Sequence, residues 1–172
     1  LFKQFLKGIG CYGAEAEVEG FSGYLCEILI IRYESFENLV QSAQGWKHGT
    51  KLALSDSNHQ SFDSPLTFID PVDSYRNVAS ALSKEKFKLF VKACKEYLKY
   101  PRITFFFPNE IQPWSLDKIK SEIQKQKCLY VGVVFSKPGI IVENLYPQIR
   151  KAARAISETC KKYGFTIFDA KF

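Results

Sequence analysis

Two carboxylates and a guanidinium, Asp70, Asp73 and Arg76, crowd into "IDPVDSYRNVASALS" at residues 69–83. A pair of carboxylates can in principle hold Mg2+. The "DPVD" spacing fits a proline turn followed by a helix cap better, with Asp73 or Ser74 capping a helix that begins near Arg76. The arginine is the more telling residue. Residues 1–83 contain only one other, Arg32. A guanidinium either pairs with Asp70 or Asp73 in a structural turn or turns its planar fork outward to a ligand.

Charge points the same way. The chain of 172 residues has a formal net charge of +6, unevenly divided. Residues 1–83 hold 6 Lys and Arg against 10 Asp and Glu, whereas residues 84–172 hold 18 against 8. A basic half beside an acidic half suits a polyanionic partner docking on one side. Within the basic half, Arg150, Arg154 and Lys161 recur along one helical stripe and could track a phosphate backbone. Leu145, Ile149, Ala153, Ile156 and Cys160 are expected on the opposite, core-facing stripe.

Other chemistry is not indicated. There is no GxxxxGK or GxGxxG loop, and no Ser–His or Cys–His signature. The five cysteines form no CxxC pair and lie apart from His48 and His59, which argues against zinc and for reduced, mostly buried thiols. The longest apolar run, "LCEILII", carries Glu27 and is too short to cross a bilayer. A soluble, cytoplasmic protein is expected.

The elements that must position these residues follow from periodicity. At 46% hydrophobic the chain can bury a core. Helices are expected over residues 1–7, from Ser22 to Tyr33, and over 35–46 with Ser35 as cap. Ile30 and Ile31 widen the apolar stripe of the second, which makes it central to the core. "AEAEVEG" (14–20) alternates small and acidic residues and reads as exposed. "TKLALS" and "LTFIDPV" read as the two strands of a hairpin with a long polar loop, "DSNHQSFDSP", between them. After Ser83, residues Phe87, Phe90, Val91, Cys94 and Leu98 mark an amphipathic helix that Pro101 stops.

Beyond it the order reads strand (102–108), helix (115–127, capped by Ser115), strand (128–135), helix (within 143–164, ended by Gly164) and strand (165–172). The fold class expected is α+β: a helical central domain with a small β-hairpin over residues 1–100, then a β-α-β-α-β, partial ferredoxin-like unit over 101–172. The chain lacks methionine and opens inside a helical pattern, so it reads as an excised piece of something longer.

Four segments, "LFKQFLKGIGCYGAE", "GFSGYLCEILIIRYESF", "DPVDSYRNVASALS" and "ENLYPQIRKAAR", together closely resemble the archaeal (class I) CCA-adding enzymes, the tRNA nucleotidyltransferases that build the CCA end of tRNA from CTP and ATP. Cys11 and Glu34 depart from that pattern, standing where an aliphatic residue and a glycine are more usual. The resemblance covers the chain from end to end, least well over 47–65. It implies a central domain like the second domain of poly(A) polymerases, followed by the start of an RNA-binding body. The catalytic head, which holds Mg2+ on three carboxylates, would be missing, so this chain alone would be inactive. Three roles follow from the resemblance. Lys3 would meet the nucleotide's phosphates, Tyr12 the nucleotide, and Arg76 the incoming base and the RNA end. The partners implied are tRNA, CTP and ATP, with a homodimer in the whole enzyme.

Those roles suit the residue types: an ammonium as a point charge for triphosphate oxygens, a hydroxyl in a glycine-rich loop, a fork for base acceptors. Taken without the resemblance, Lys3 could be a solvated helix lysine and Tyr12 a core residue. A non-catalytic RNA-binding module is the alternative function, and an unrelated α+β scaffold a third.

Overall fold

The computed structural model describes residues 1–55, 62–134, 136 and 139–170. It divides into two compact units, Leu1–Pro108 with Ile141–Phe172, and Asn109–Ile140. In the first, helices α1 (Phe2–Gly8), α2 (Gly23–Tyr33), α3 (Phe36–Ala43) and α4 (Lys84–Lys99) surround one core. Serines begin three of them. The Oγ atoms of Ser22, Ser35 and Ser83 accept from the backbone N–H of Leu25, Asn38 and Lys86. Each satisfies a donor that the first helical turn leaves unpaired.

The core is aromatic. Phe5 is fully buried, with Phe36, Tyr97, Phe105 and Phe106 around it at ring separations of 5.4–6.0 Å. Phe87, Phe90, Val91 and Cys94 bury the apolar stripe of α4 as its spacing requires, while Leu98 is only partly buried. On α2, Leu25, Cys26, Ile28 and Leu29 are buried, but Ile31 is 63% exposed. The stripe is therefore narrower than the run of isoleucines suggests. Glu34, where glycine is expected, ends α2 in the left-handed region at φ 65°. That explains the expectation, because only glycine adopts this conformation without a Cβ penalty.

The two strands are short and parallel, which corrects the hairpin. β1 (Thr50–Leu52) pairs with β2 (Leu66–Phe68) in the register Thr50↔Leu66, Lys51↔Thr67, Leu52↔Phe68. A parallel pair needs a connection of roughly a dozen residues or more, and the chain supplies 53–65. His59 and the middle of that loop lie outside the described residues. All three residues of β2 are buried, so the strand shows no in–out alternation.

No helix begins near Arg76. Residues 76–78 instead run back along the end of β2: Asp70 donates its N–H to the Arg76 carbonyl at 3.0 Å and Val78 to that of Phe68 at 2.9 Å. An antiparallel bridge, Ile69↔Asn77, lies between them. The buried Asn77 side chain wins over helix formation. Its Oδ1 accepts from the N–H of Phe68 and Ala79, and its Nδ2 donates to Ser64 Oγ and the Leu66 carbonyl, all within 2.9–3.1 Å.

The β-α-β-α-β unit is absent among the described residues. The "RITFFFP" segment forms a 3-10 turn, Ile103–Phe105, because its rings pack on Phe5 and Tyr97 and it has no strand to join. Gln4 Nε2 ties it to α1 through the Phe106 carbonyl at 2.8 Å. In the second unit, α5 (Leu116–Gln126) is capped by Ser115 Oγ, and the apolar residues Leu129, Val131 and Val134 after it are exposed and unpaired. The described part of 128–135 and of 165–172 contains no strand. β-branched runs form strands only where a sheet edge receives them. Among the described residues the outcome is a mainly helical α+β fold with one two-stranded parallel sheet.

α6 (Val142–Lys162) belongs to the first unit. Gly164, at φ 87°, follows its end, and Phe165 donates back to the Cys160 carbonyl at 3.1 Å, closing the helix as a C′ glycine does.

Candidate nucleotide and RNA interface

The N-terminus of α2 gathers the residues with chemistry. The chain leaves α1 through Gly8 and Gly10 and forms a loop whose two arms are hydrogen-bonded. Gly13 donates to the Phe21 carbonyl and Phe21 to that of Cys11, at 2.9 and 2.8 Å. Tyr12 and Phe21 form the bridge between the arms. A Cβ at Gly20 would lie 2.2 Å from the Cys11 carbonyl oxygen, so this close approach requires glycine. The loop sets Tyr12 beside the first turn of α2.

Lys3 reaches the same place from α1. A Cβ at Gly23, the first residue of α2, would lie 3.5 Å from Tyr12 Oη and 4.0 Å from Lys3 Nζ. An ammonium, a phenol and a helix N-terminus whose leading residue has no side chain thus converge. Partial positive charge from the helix dipole and unpaired N–H groups favours an anion at such an end. Lys3 Nζ bonds Glu27 Oε1 at 2.8 Å, and that bond raises its pKa above the ordinary lysine value. Lys3 is therefore charged at neutral pH, and its side chain is still 44% exposed. Tyr12 is partly buried against the core, and Lys7 Nζ sits 5.3 Å over its ring.

Arg76 adjoins this end through the next residue of α2. Tyr24 Oη donates to Asp70 Oδ1 at 3.3 Å, and Arg76 Nη1 pairs with Asp70 Oδ2 at 3.5 Å. Asp73 takes no part in the pair: its Oδ1 accepts from the Tyr75 N–H at 3.0 Å within the turn. The two readings of Arg76 turn out to be compatible. It is paired at one corner, yet its side chain is 64% exposed.

Arg150, Arg154 and Lys161 of α6 line a separate cleft of about 900 Å³, with Glu17, Glu19, Glu85 and Lys86 across from them. Arg150 is turned inward, not outward along a solvent stripe. Its Nη1 pairs with Glu19 Oε1 at 2.7 Å and its Nη2 donates to the Glu17 carbonyl at 3.0 Å. Tyr146 also bonds Glu17, which raises the tyrosine pKa. Arg154 and Lys161 are exposed on the same cleft beside Leu145, Ile149 and Ala153. This corrects the expected division into opposite stripes: Leu145, Ile149 and Ala153 share the cleft with the cations, Ile156 is exposed, and no residue of α6 is buried. The acidic loop that reads as exposed is the anchor of α6, and nothing in the local spacing names that long-range partner. Arg150→Gln should lower stability by about 1–2 kcal/mol, the scale of a charge-assisted, partly exposed hydrogen-bond pair. Glu19→Gln should do the same, and a urea-unfolding double-mutant cycle should find the two losses non-additive.

Three of the five cysteines, Cys11, Cys26 and Cys94, are buried in the core. Burial pushes the Cys11 and Cys26 thiols up to about 11 and about 12, and raises Cys94 further, so all three stay protonated at neutral pH. Among the described residues no helix is long and apolar enough to cross a membrane.

Two family models match the chain. One, described as the second domain of tRNA nucleotidyltransferase, covers residues 1–107, and the other, the C-terminal domain of the CCA-adding enzyme, covers 127–172. Among curated relatives, a CCA-adding enzyme of Methanosarcina barkeri is 42% identical over 97% of this chain and 37% of its own length. That of Archaeoglobus fulgidus is 40% identical over 96% of this chain and 38% of its own. That of Methanocaldococcus jannaschii is 36% identical over 99% and 39%. The chain therefore spans well under half the length of the relatives it matches.

Proposed function

The chain belongs to the archaeal CCA-adding enzyme family of tRNA nucleotidyltransferases, and from that premise we propose that it supplies the nucleotide and tRNA contacts of an enzyme adding C, C and A to the tRNA 3′ end. The observation that carries this reading is the meeting of Lys3, Tyr12 and the α2 N-terminus, with Arg76 beside them. In the proposal, triphosphate oxygens rest against Lys3 and the helix end, the Tyr12 hydroxyl bonds the nucleotide, and the exposed fork of Arg76 meets the edge of the incoming cytosine or adenine. The alignment of charge with role supports it: cations and dipole at the anion, a planar donor at the base.

Phosphoryl transfer in such an enzyme calls on a divalent metal, Mg2+ in this proposal. The carboxylates present do not fit it. Asp70 is 5% exposed and committed to Arg76, Tyr24 and the Val72 N–H, while Asp73 closes its own turn. Among the described residues no three His, Cys, Asp or Glu side chains gather as a metal set. The proposal therefore assigns the metal to the part of the family protein that this chain does not span.

Residues 1–100 are read as the central domain and 101–172 as the start of the RNA-binding body. Arg150, Arg154 and Lys161 are proposed to serve tRNA phosphates. Arg154 and Lys161 can do so directly, whereas Arg150 would exchange Glu19 for a phosphate. The whole enzyme is placed in the cytoplasm, as a homodimer. A purely RNA-binding module is the second reading, favoured by the basic balance of residues 84–172.

The test is incorporation. With tRNA ending before CCA, labelled CTP and Mg2+, the complete reading frame containing this chain should extend the tRNA, and the 172-residue chain alone should leave the label unincorporated. Robust extension by the isolated chain would refute the placement of the metal elsewhere. No extension by the complete protein, with salt-dependent tRNA binding retained, would leave the RNA-binding module standing.

A further inference from the structure

We propose that Tyr24 and Asp70 form a positioning pair that sets the guanidinium of Arg76 at a fixed offset from the phosphate-holding end of α2; this rests on the nucleotide-site reading above. Neither residue is needed to touch the nucleotide. Their importance comes from which elements they join.

Asp70 stands at the end of β2 and Tyr24 in the first turn of α2, directly after Gly23. The Asp70 carboxylate is almost wholly buried, at 5% exposure, and a buried charge persists only where partners surround it. It divides them between its two oxygens. Oδ1 accepts from the Val72 N–H at 2.9 Å and from Tyr24 Oη at 3.3 Å, which fixes the carboxylate plane from its own turn and from α2. Oδ2 is left for Arg76 Nη1 at 3.5 Å. The backbone joins the same set, since the Asp70 N–H donates to the Arg76 carbonyl at 3.0 Å. Arg76 is thus gripped at its main chain and at one corner of its fork.

An exposed arginine loses considerable rotamer freedom when it binds a ligand, and holding it beforehand reduces that cost. The Tyr24 hydroxyl adds something that Asp70 alone could not. It references the carboxylate to the helix whose N-terminus faces the phosphates, so one rigid element carries both the anion end and, through two side chains, the base end. A nucleotide has a fixed distance between triphosphate and base edge. A reader held at matching distance selects on shape as well as on hydrogen bonding.

Tyr24→Phe removes one hydroxyl and keeps the ring. In the complete protein it should raise KM for CTP and ATP about 2–12-fold, the value of one ordinary hydrogen bond, with kcat at saturation and the melting temperature nearly unchanged. In an Arg76→Gln background, assayed at single turnover with enzyme in excess, the same substitution should add no further loss, because the residue it acts through is gone. Asp70→Asn should reproduce the Tyr24→Phe effect in the same direction. An equal loss in both backgrounds would overturn the proposal, since Tyr24 would then act by a contact of its own. Unchanged KM would overturn it too, as would a fall in melting temperature without a KM effect. If the unsubstituted protein adds no nucleotide, the transferase reading falls first and the positioning pair falls with it.

Discussion

Arg76→Lys in the complete protein should impair nucleotide choice or incorporation by roughly 5–150-fold while the melting temperature moves by no more than about 2 °C. The magnitude is that of a lost bidentate base contact, about 1–3 kcal/mol in protein–nucleic-acid recognition. Lysine keeps the charge and can still approach Asp70, so any long-range attraction for phosphate survives. It cannot present two coplanar donors. Stability should hold because the Arg76 side chain is 64% exposed and packs no core, and exposed ion pairs contribute about 0–1 kcal/mol. The measurement is a pair of numbers on one variant: steady-state CTP and ATP kinetics, and a thermal unfolding curve. If Arg76 served only the turn, the pattern would reverse, with a lowered melting temperature and intact kinetics.

This residue also marks how far the sequence could be read. Four helix starts were legible because a serine before an apolar-periodic run acts locally, whereas the start expected near Arg76 lost to the Asn77 side chain. Ser22, Ser35, Ser83 and Ser115 each accept the N–H three residues on. The α4 stripe was legible for the same reason, its spacing being the core face. The aromatic and β-branched segments misled. "RITFFFP" and "CLYVGVVF" have strand composition, but pairing needs a neighbour and rings can be buried without one. The first turns onto Phe5 and Tyr97, and residues 129–134 of the second stay exposed.

At the site, the charge of Arg76 and its acidic neighbours could be read directly. Lys3 and Tyr12 could not be told from a solvated lysine and a core tyrosine without the resemblance, because their meeting at Gly23 depends on the loop between Cys11 and Phe21. Arg150 shows the same limit. Helical spacing supplies an angle around α6, but Glu19, 131 positions away, decides what the guanidinium does.

Asn77→Ala should be the most damaging single change near the site, and damaging in two ways at once. Asn77 is 5% exposed and all its hydrogen-bonding capacity goes inward. It joins Phe68 and Ala79 through Oδ1, and Ser64 and Leu66 through Nδ2. Alanine would leave the N–H groups of Phe68 and Ala79 without these acceptors in a region too closed for easy hydration. Each such buried group costs about 1–3 kcal/mol, so the loss should be about 2–6 kcal/mol. For a chain of this size that corresponds to a melting temperature lower by roughly 4–24 °C. The function should suffer as well. Asn77 follows Arg76 directly, and its hydrogen bonds hold the returning segment against β2, where the Arg76 carbonyl meets the Asp70 N–H. Freed from that anchor, Arg76 would lose its offset from α2. Nucleotide kinetics of the complete protein carrying the substitution, measured well below that variant's own melting temperature, should therefore still show impaired discrimination. Asn77→Asp keeps an acceptor for the two N–H groups but sets a buried carboxylate oxygen against the Leu66 carbonyl, so it should be tolerated no better than alanine. Full discrimination in a destabilised Asn77→Ala protein would separate the anchor from the reader and show that Asp70 and Tyr24 hold Arg76 without it.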